Sequence, residues 1–223
     1  MGSLGGTRLV ALLAAACLAL GGCTGAGDQP GGADPSASDA QSGADGDLDV
    51  AGSQAAAPSG DPDRTVLGIG FDVPTGWERF RTEGVDPTDE TARTVAAQLG
   101  VRPQQLERRL ATTELYLVSE DDGEDFLPTI DVYPVPGTVP ADEQIEQDFA
   151  RVGAEVAELR REDTAAGQVA VVSYRLPTRT ATIEGASLVV PHEDQSLIIT
   201  VSEVDRARAD EVADTLVASM VAR

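Results

Sequence analysis

The segment from Thr24 to about Asp63 contains almost nothing that can be buried. It is built of Gly, Ala, Ser, Asp, Gln and Pro, with eight Asp and no basic residue. Leu48 and Val50 are its only large aliphatics. Such a stretch cannot offset its chain entropy by burying apolar surface, so it is predicted to be a disordered tether. At 5–6 Å × √n, roughly forty residues reach about 35 Å. Any core must therefore come from the C-terminal part of the chain, about residues 65–223. That length suits one domain.

The residues before the tether have their own logic. Met1 to Arg8 form a short basic region, and Leu9 to Leu20 form an uncharged apolar run. The run has the length of a signal-peptide core and falls short of the roughly 20 residues that span a bilayer. Leu20-Gly21-Gly22-Cys23 comes next. A branched apolar residue, two small residues and a cysteine match a lipobox. Small side chains admit the peptidase, and an unhindered thiol can form a thioether with diacylglycerol. Residues 1–22 are thus expected to be a signal peptide, with Cys23 the lipidated first residue of the mature chain (residues 23–64 being its lipidated, tethering N-terminus). Several acyl chains, at about 0.8 kcal/mol per buried CH₂, give a durable anchor. Gly2 does not make a myristoylation start, because position 6 is Gly6. Cys17 leaves with the peptide, so the mature domain has no thiol for a disulfide, metal or nucleophile. The expected place is the extracytoplasmic face of a membrane.

In the domain, Leu67, Ile69, Phe71 and Val73 alternate with a strand period over residues 66–74. Pro74-Thr75-Gly76 is a turn signal, and Trp77-Glu78-Arg79-Phe80 begins a second strand. Asp86-Pro87-Thr88-Asp89-Glu90 reads as a helix start with Asp86 as N-cap, running to about Leu99 before Gly100. Pro103 opens a shorter helix with Leu106 and Leu110. Strands are predicted next at about 112–118 and 128–135. A helix over about 142–153 places Ile145, Phe149, Val152 and Val156 at i, i+4, i+7 and i+11. Four strands are then predicted at about 155–162, 168–176, 181–190 and 196–204. Ala170, Val172, Tyr174 and Leu176 share one face of the second. A last helix, about 206–221, gathers Ala209, Val212, Ala213, Leu216 and Met220. The order ββααββαββββα, with short turns, predicts an antiparallel β-sheet sandwiched by helices, in the α+β class.

Ile69-Gly70-Phe71-Asp72-Val73-Pro74-Thr75-Gly76-Trp77 resembles the strand and Pro-x-Gly-Trp opening of PsbP-like and Mog1-like domains. With the lipobox, the strand over 128–135, its helix, the meander and the end near Ala218-Ser219-Met220, the chain resembles the LpqN-type actinobacterial lipoproteins over about residues 66–221. The absence of lysine, every basic residue being Arg, fits a high-GC genome. The resemblance implies a sheet sandwiched between helices and an adaptor-like or assembly role. It implies no shared catalytic residues.

Net charge −22 argues against nucleic acid, which needs clustered basic residues. His192 is the only histidine. A triad with Ser187 or Ser196 and Asp194 lacks a nucleophile-elbow motif, so His192 is read as a solvated turn residue. One histidine and a committed cysteine do not make a zinc site. The Glu120–Asp125 cluster has calcium-type ligands without the D-x-D-x-D-G spacing, and reads as a hairpin tip. Asp131 could be half of a carboxylate pair; an outward-facing strand position is the better reading. Trp77 is read as a core anchor. Gly68-x-Gly70 precedes a strand and is no dinucleotide loop. The expectation is a non-enzymatic binding or adaptor domain of the cell envelope. It has no cofactor beyond the lipid on Cys23. Its expected partners are the membrane, through that anchor, and an envelope protein. A carrier of a lipid or small apolar molecule is the first alternative, and a hydrolase the second.

Overall fold

The computed structural model describes residues 64–120, 126–178 and 181–223. The expected lipobox with Cys23, the stretch read as a tether, and residues 121–125 of the acidic turn lie outside them. Ten strands and four α-helices run in the order β1 (Arg64–Val66), β2 (Ile69–Phe71), β3 (Trp77–Arg79), α1 (Glu90–Gln98), α2 (Leu106–Arg109, after a 3-10 turn at Pro103–Gln105), β4 (Leu115–Ser119), β5 (Thr129–Pro136), α3 (Asp142–Arg151), β6 (Glu155–Thr164), β7 (Gly167–Pro177), β8 (Thr182–His192), β9 (Gln195–Glu203), α4 (Arg206–Ser219) and β10 (Val221–Ala222). No described helix is long and apolar enough to cross a membrane.

The main sheet has seven strands in the order β3-β4-β5-β9-β8-β7-β6, paired antiparallel throughout. The α+β expectation holds. Along β7, Val169 and Val171 enter one apolar cluster, while Ala170, Val172, Tyr174 and Leu176 enter another. The predicted grouping of those four on one face is correct. The first cluster is closed by Val212, Ala213 and Leu216 of α4, by Met220 just after it, and by Trp77, Ile69 and Phe71. Trp77 is thus a core anchor. Ile145 and Phe149 of α3 close the second. On that same side α1 and α2 cover β4 through a third cluster, where Val95 and Leu106 meet Tyr116 and Val118. Val156 lies in β6 rather than on the helix, yet it still packs against the second cluster.

The opening strand predicted over 66–74 is instead a hairpin. Leu67 (φ 49) and Gly68 (φ 80) form the reversal, and both need the left-handed region that two-residue hairpins use. Leu67 is therefore exposed rather than part of the inward row. The strand alternation hid the turn because Ile69, Phe71 and Val73 keep the period. β1, β2 and β10 form a separate three-stranded sheet. The backbone N–H of Arg223 donates to Gly68 O at 2.7 Å and ties the C-terminus to the turn. The N-cap of α1 is Asp89, which accepts from Ala92 N at 2.9 Å. Asp86 instead organises the preceding turn, accepting from Thr88 N at 2.8 Å. That hydrogen bond, with one from the Thr88 hydroxyl, holds the Asp86 carboxyl below its ordinary range. The two aspartates compete for the same role, and the one adjacent to the helical run takes it.

Gly185 of β8 sits beneath the ring of Tyr174, its cross-strand neighbour. A Cβ there would come within 3 Å of three ring and hydroxyl atoms of Tyr174. The Tyr174 ring is itself held by Phe149, with centroids 5.0 Å apart. Gly185→Ala should therefore lower stability by about 1–3 kcal/mol, the usual penalty of overpacking. Urea denaturation measures it, and an unchanged midpoint would mean that Tyr174 can move aside.

Candidate functional site

Register places residues from different strands in rows across the sheet. On the α3 side one row runs Tyr116 (β4), Asp131 (β5), Thr200 (β9), Ser187 (β8), Val172 (β7) and Leu159 (β6). The next runs Val118, Thr129, Ser202, Gly185, Tyr174 and Val156. Both rows are apolar or aromatic at their ends and polar in the middle. The opposite face of the same middle strands carries Ile130, Val132, Ile199, Val201, Ala186 and Leu188, all buried. The polar residues form a strip between the cluster under α3 and the cluster under α1 and α2, which share no residue.

The strip is deep. Thr200 is 4% exposed, Ser187 1% and Thr129 4%, whereas Asp131 and Ser202 keep partial contact with solvent. The Thr200 hydroxyl is buried and has no hydrogen-bond partner among the described residues. An unsatisfied buried hydroxyl costs about 1–3 kcal/mol, so its place at the centre of a sheet needs a reason. Burial pushes the Asp131 carboxyl up to about 7, against the pull of the nearby Arg109 guanidinium. Burial and the charge of Asp131 likewise raise the Tyr116 phenol above its ordinary range, against a hydrogen bond with Thr129 and the charge of Arg109. The outward-facing reading of Asp131 is thus corrected: it lies half-buried on a covered face.

α3 adds a flank. Asp142, at its start, accepts from Arg161 Nε of the edge strand β6 at 2.9 Å. Asp148 lies six residues on, about 120° away around the helix. Asp148 is fully buried. Its Oδ1 accepts from Gln144 Nε2 at 2.9 Å and Arg151 at 2.7 Å. Its Oδ2 has no hydrogen-bond partner among the described residues.

The triad weighed on sequence is not assembled. His192 follows Val190 on the α4 face and lies near Gly68 at the β1–β2 turn. Ser187 and Ser196 occupy the other face, and the Ser196 hydroxyl donates to Gly137 O at 2.9 Å. Asp194 stands in the hairpin turn, its carbonyl accepting from Gly137 N. Among the described residues no group of three or more His, Cys, Asp or Glu could hold a metal ion. Glu120 is exposed, and its N–H donates to Gly76 O at 2.7 Å. An open groove of about 980 Å³ is bordered by Arg79, Arg81, Glu83, Glu107 and Glu114. Its charges of both signs are solvated. Sequence reasoning named Asp131 and Ser187 singly, but missed Thr200, Thr129 and Ser202. The signal that could have found them is a polar residue at matching positions of three strands otherwise rich in Ile, Leu and Val.

No family model matches the chain, and no curated protein matches it. Several solved structures are similar. Cyanobacterial PsbP from Synechocystis has 13% identity and a TM-score of 0.41, over 70% of this chain and 87% of that one. LpqN of Mycobacterium tuberculosis, described as involved in cell envelope biogenesis, has 11% identity and a TM-score of 0.39, over 69% and 82%. A Pseudomonas aeruginosa protein of unknown function has 8% identity and a TM-score of 0.37, over 44% and 74%.

The raised carboxyl makes stability depend on pH. Folded, Asp131 keeps its proton to higher pH than an unfolded aspartate of pKa about 3.9. Its contribution is full below about pH 4 and is lost as pH rises through about 7. Asp131→Asn, which cannot ionise, should be more stable than the parent at pH 8 by roughly 1–3 kcal/mol, and about equal to it at pH 4. Urea titrations at both values measure this. The same difference at each pH would place the carboxyl in bulk water.

Proposed function

We propose that the folded domain is a non-enzymatic binding module, held at the outer face of a membrane by lipid on Cys23, with Asp131 and Ser202, the residues of the polar strip that keep contact with solvent, in its contact surface. The observation that carries the reading is the Thr200 hydroxyl, without a hydrogen-bond partner among the described residues, beside half-buried Asp131, in a sheet whose other face carries Ile130, Val132, Ile199, Val201, Ala186 and Leu188 at the same level. A buried polar group without a partner calls for one, and a bound partner can supply it. Binding is favoured over hydrolysis because His192 and the two serines stand on opposite faces of the sheet. The acidic tether from Thr24 gives the domain reach, and its charge opposes contact with anionic headgroups.

Thr200→Val tests the strip. Removing an orphaned hydroxyl with little change of shape should raise stability by about 1 kcal/mol. A photo-crosslinking residue at Ser202 should give one discrete adduct in intact cells, weakened at least tenfold by Thr200→Val. The same residue at Glu211, exposed on α4, should give none. A destabilised Thr200→Val with an unchanged adduct would make the hydroxyl structural. The anchor is tested separately: Cys23→Ala should move the protein from the membrane fraction to the soluble one, with loss of the lipid mass. Retention of that mass would refute lipidation at Cys23.

A further inference from the structure

We propose that residues 47–51, from the acidic N-terminal stretch of this same chain, pair antiparallel with the free edge of β3 as a further strand of the main sheet. β3 is the last strand of that sheet. Phe80 N donates to Tyr116 O at 2.9 Å and Glu120 N donates to Gly76 O at 2.7 Å, so residues 76, 78 and 80 turn their backbone groups toward β4. By the alternation of an antiparallel ladder, Trp77 and Arg79 turn theirs outward. Among the described residues no strand meets them there. Such an edge is a template for another strand.

The side chains along the edge decide which strand fits. Trp77 enters the cluster under α4, so Arg79 shares that face, while Phe80 packs against the cluster under α1 and α2 on the other. Arg81 is next in the row of Arg79 and borders the same open groove. Both arginines are exposed, and among the described residues neither makes an ion pair, whereas Arg151, Arg160, Arg161, Arg175, Arg206 and Arg208 all do. Residues 64–114 carry seven Arg against eight acids in a chain of net charge −22, so an acidic segment meets least repulsion in this part of the domain.

Asp47-Leu48-Asp49-Val50 alternates acids with the only large aliphatics between Thr24 and Asp63. With Asp49 opposite Arg79, Asp47 falls opposite Arg81, Leu48 opposite Phe80, Val50 opposite Glu78 and Ala51 opposite Trp77. Both ion pairs then lie on one face and the apolar contact on the other. A shift of one residue can set the aspartates against Glu78 and Phe80 instead. Glu83, Glu107 and Glu114 also border the groove, so charge alone would not seat the segment; the backbone ladder and Leu48 add to it.

Reach is sufficient. Twelve residues, 52–63, separate the segment from Arg64. They span about 20 Å r.m.s. at 5–6 Å × √n. Arg64 pairs with Phe71, which lies in the same cluster as Trp77. A linker of this length gives an effective concentration on the order of millimolar, so a contact too weak to join two chains is populated within one. A second copy fits less well: two β3 strands paired antiparallel about Glu78 or Arg79 would set like charges against each other.

Amide hydrogen exchange of the chain from residue 23 on, with Cys23→Ser and followed by ¹⁵N NMR, tests the pairing. Arg79 N–H should exchange at least tenfold more slowly than in the double variant Asp47→Arg, Asp49→Arg. Glu78 N–H, which faces β4, should keep its rate in both. Adding Arg79→Asp and Arg81→Asp to that variant exchanges the signs of both pairs and should restore the protection; no restoration would overturn the register. Equal exchange at Arg79 in the parent and the double variant would overturn the proposal. Protection that rises with protein concentration would overturn it as well, and make a second copy the occupant.

Discussion

The middle strands of the seven-stranded sheet are buried on both faces, and the rest of the architecture answers to that. A strand apolar on one side needs one cover. β7, with valines at 169 and 171 on one side and Ala170, Val172 and Tyr174 on the other, needs two. α4 supplies one and α3 the other. Two consecutive residues of the edge strand show the division. Arg160 pairs with Asp214 of α4, and Arg161 pairs with Asp142 of α3. Successive strand residues point to opposite faces, so adjacent arginines can hold helices on opposite sides. Such partly exposed pairs contribute at most about 1 kcal/mol each. They orient the helices, while burial supplies the binding of layers. The polar character of β6 also protects the long free edge of the sheet from pairing with other chains.

Against this demand, the polar strip is a local violation. Opposite the strip, β5, β9 and β8 show on their α4 face what a well-filled interior carries: Ile130, Val132, Ile199, Val201, Ala186 and Leu188. On the α3 face the same strands carry a carboxyl and a group of hydroxyls. Hydroxyls in an interior are ordinary when paired. Ser173 on the α4 face donates to Asp210 at 2.8 Å, and Ser219 donates to Thr215 O at 2.8 Å. Thr200 has no such partner. The contrast between paired and unpaired hydroxyls within one domain, rather than polarity as such, marks the strip out.

Much of the fold was legible in the sequence. The four meander strands, the helices over Ile145–Phe149 and Ala209–Leu216, and the shared face of Ala170 to Leu176 all come from periodicity. The errors are equally physical. A turn built on Leu67-Gly68 left the strand alternation intact. Two aspartates three residues apart both fitted an N-cap. The strip stayed hidden because its information is not local. Asp131 between Ile130 and Val132 has the pattern of a strand with one wet face, as has Thr200 between Ile199 and Val201. Only the register brings a polar residue of one strand beside that of the next, and only the placement of α1, α2 and α3 turns the wet face into a covered one.

The strip's position in the sheet bears on how it could work. It lies on β5, β9 and β8, where the ladders are long: eight paired residues join β5 to β9, and nine join β8 to β9. Sites on such elements are held more precisely than sites on loops, because the backbone beneath each side chain is fixed from both sides. A partner reaching Asp131 and Ser202 would meet groups on a fixed backbone, which keeps the entropic cost of association low. The penalty of leaving Thr200 and Asp131 without full compensation falls on the free domain. The apolar clusters on either side of the strip, and the uninterrupted one beneath it, are what let the fold carry that penalty without a change of structure.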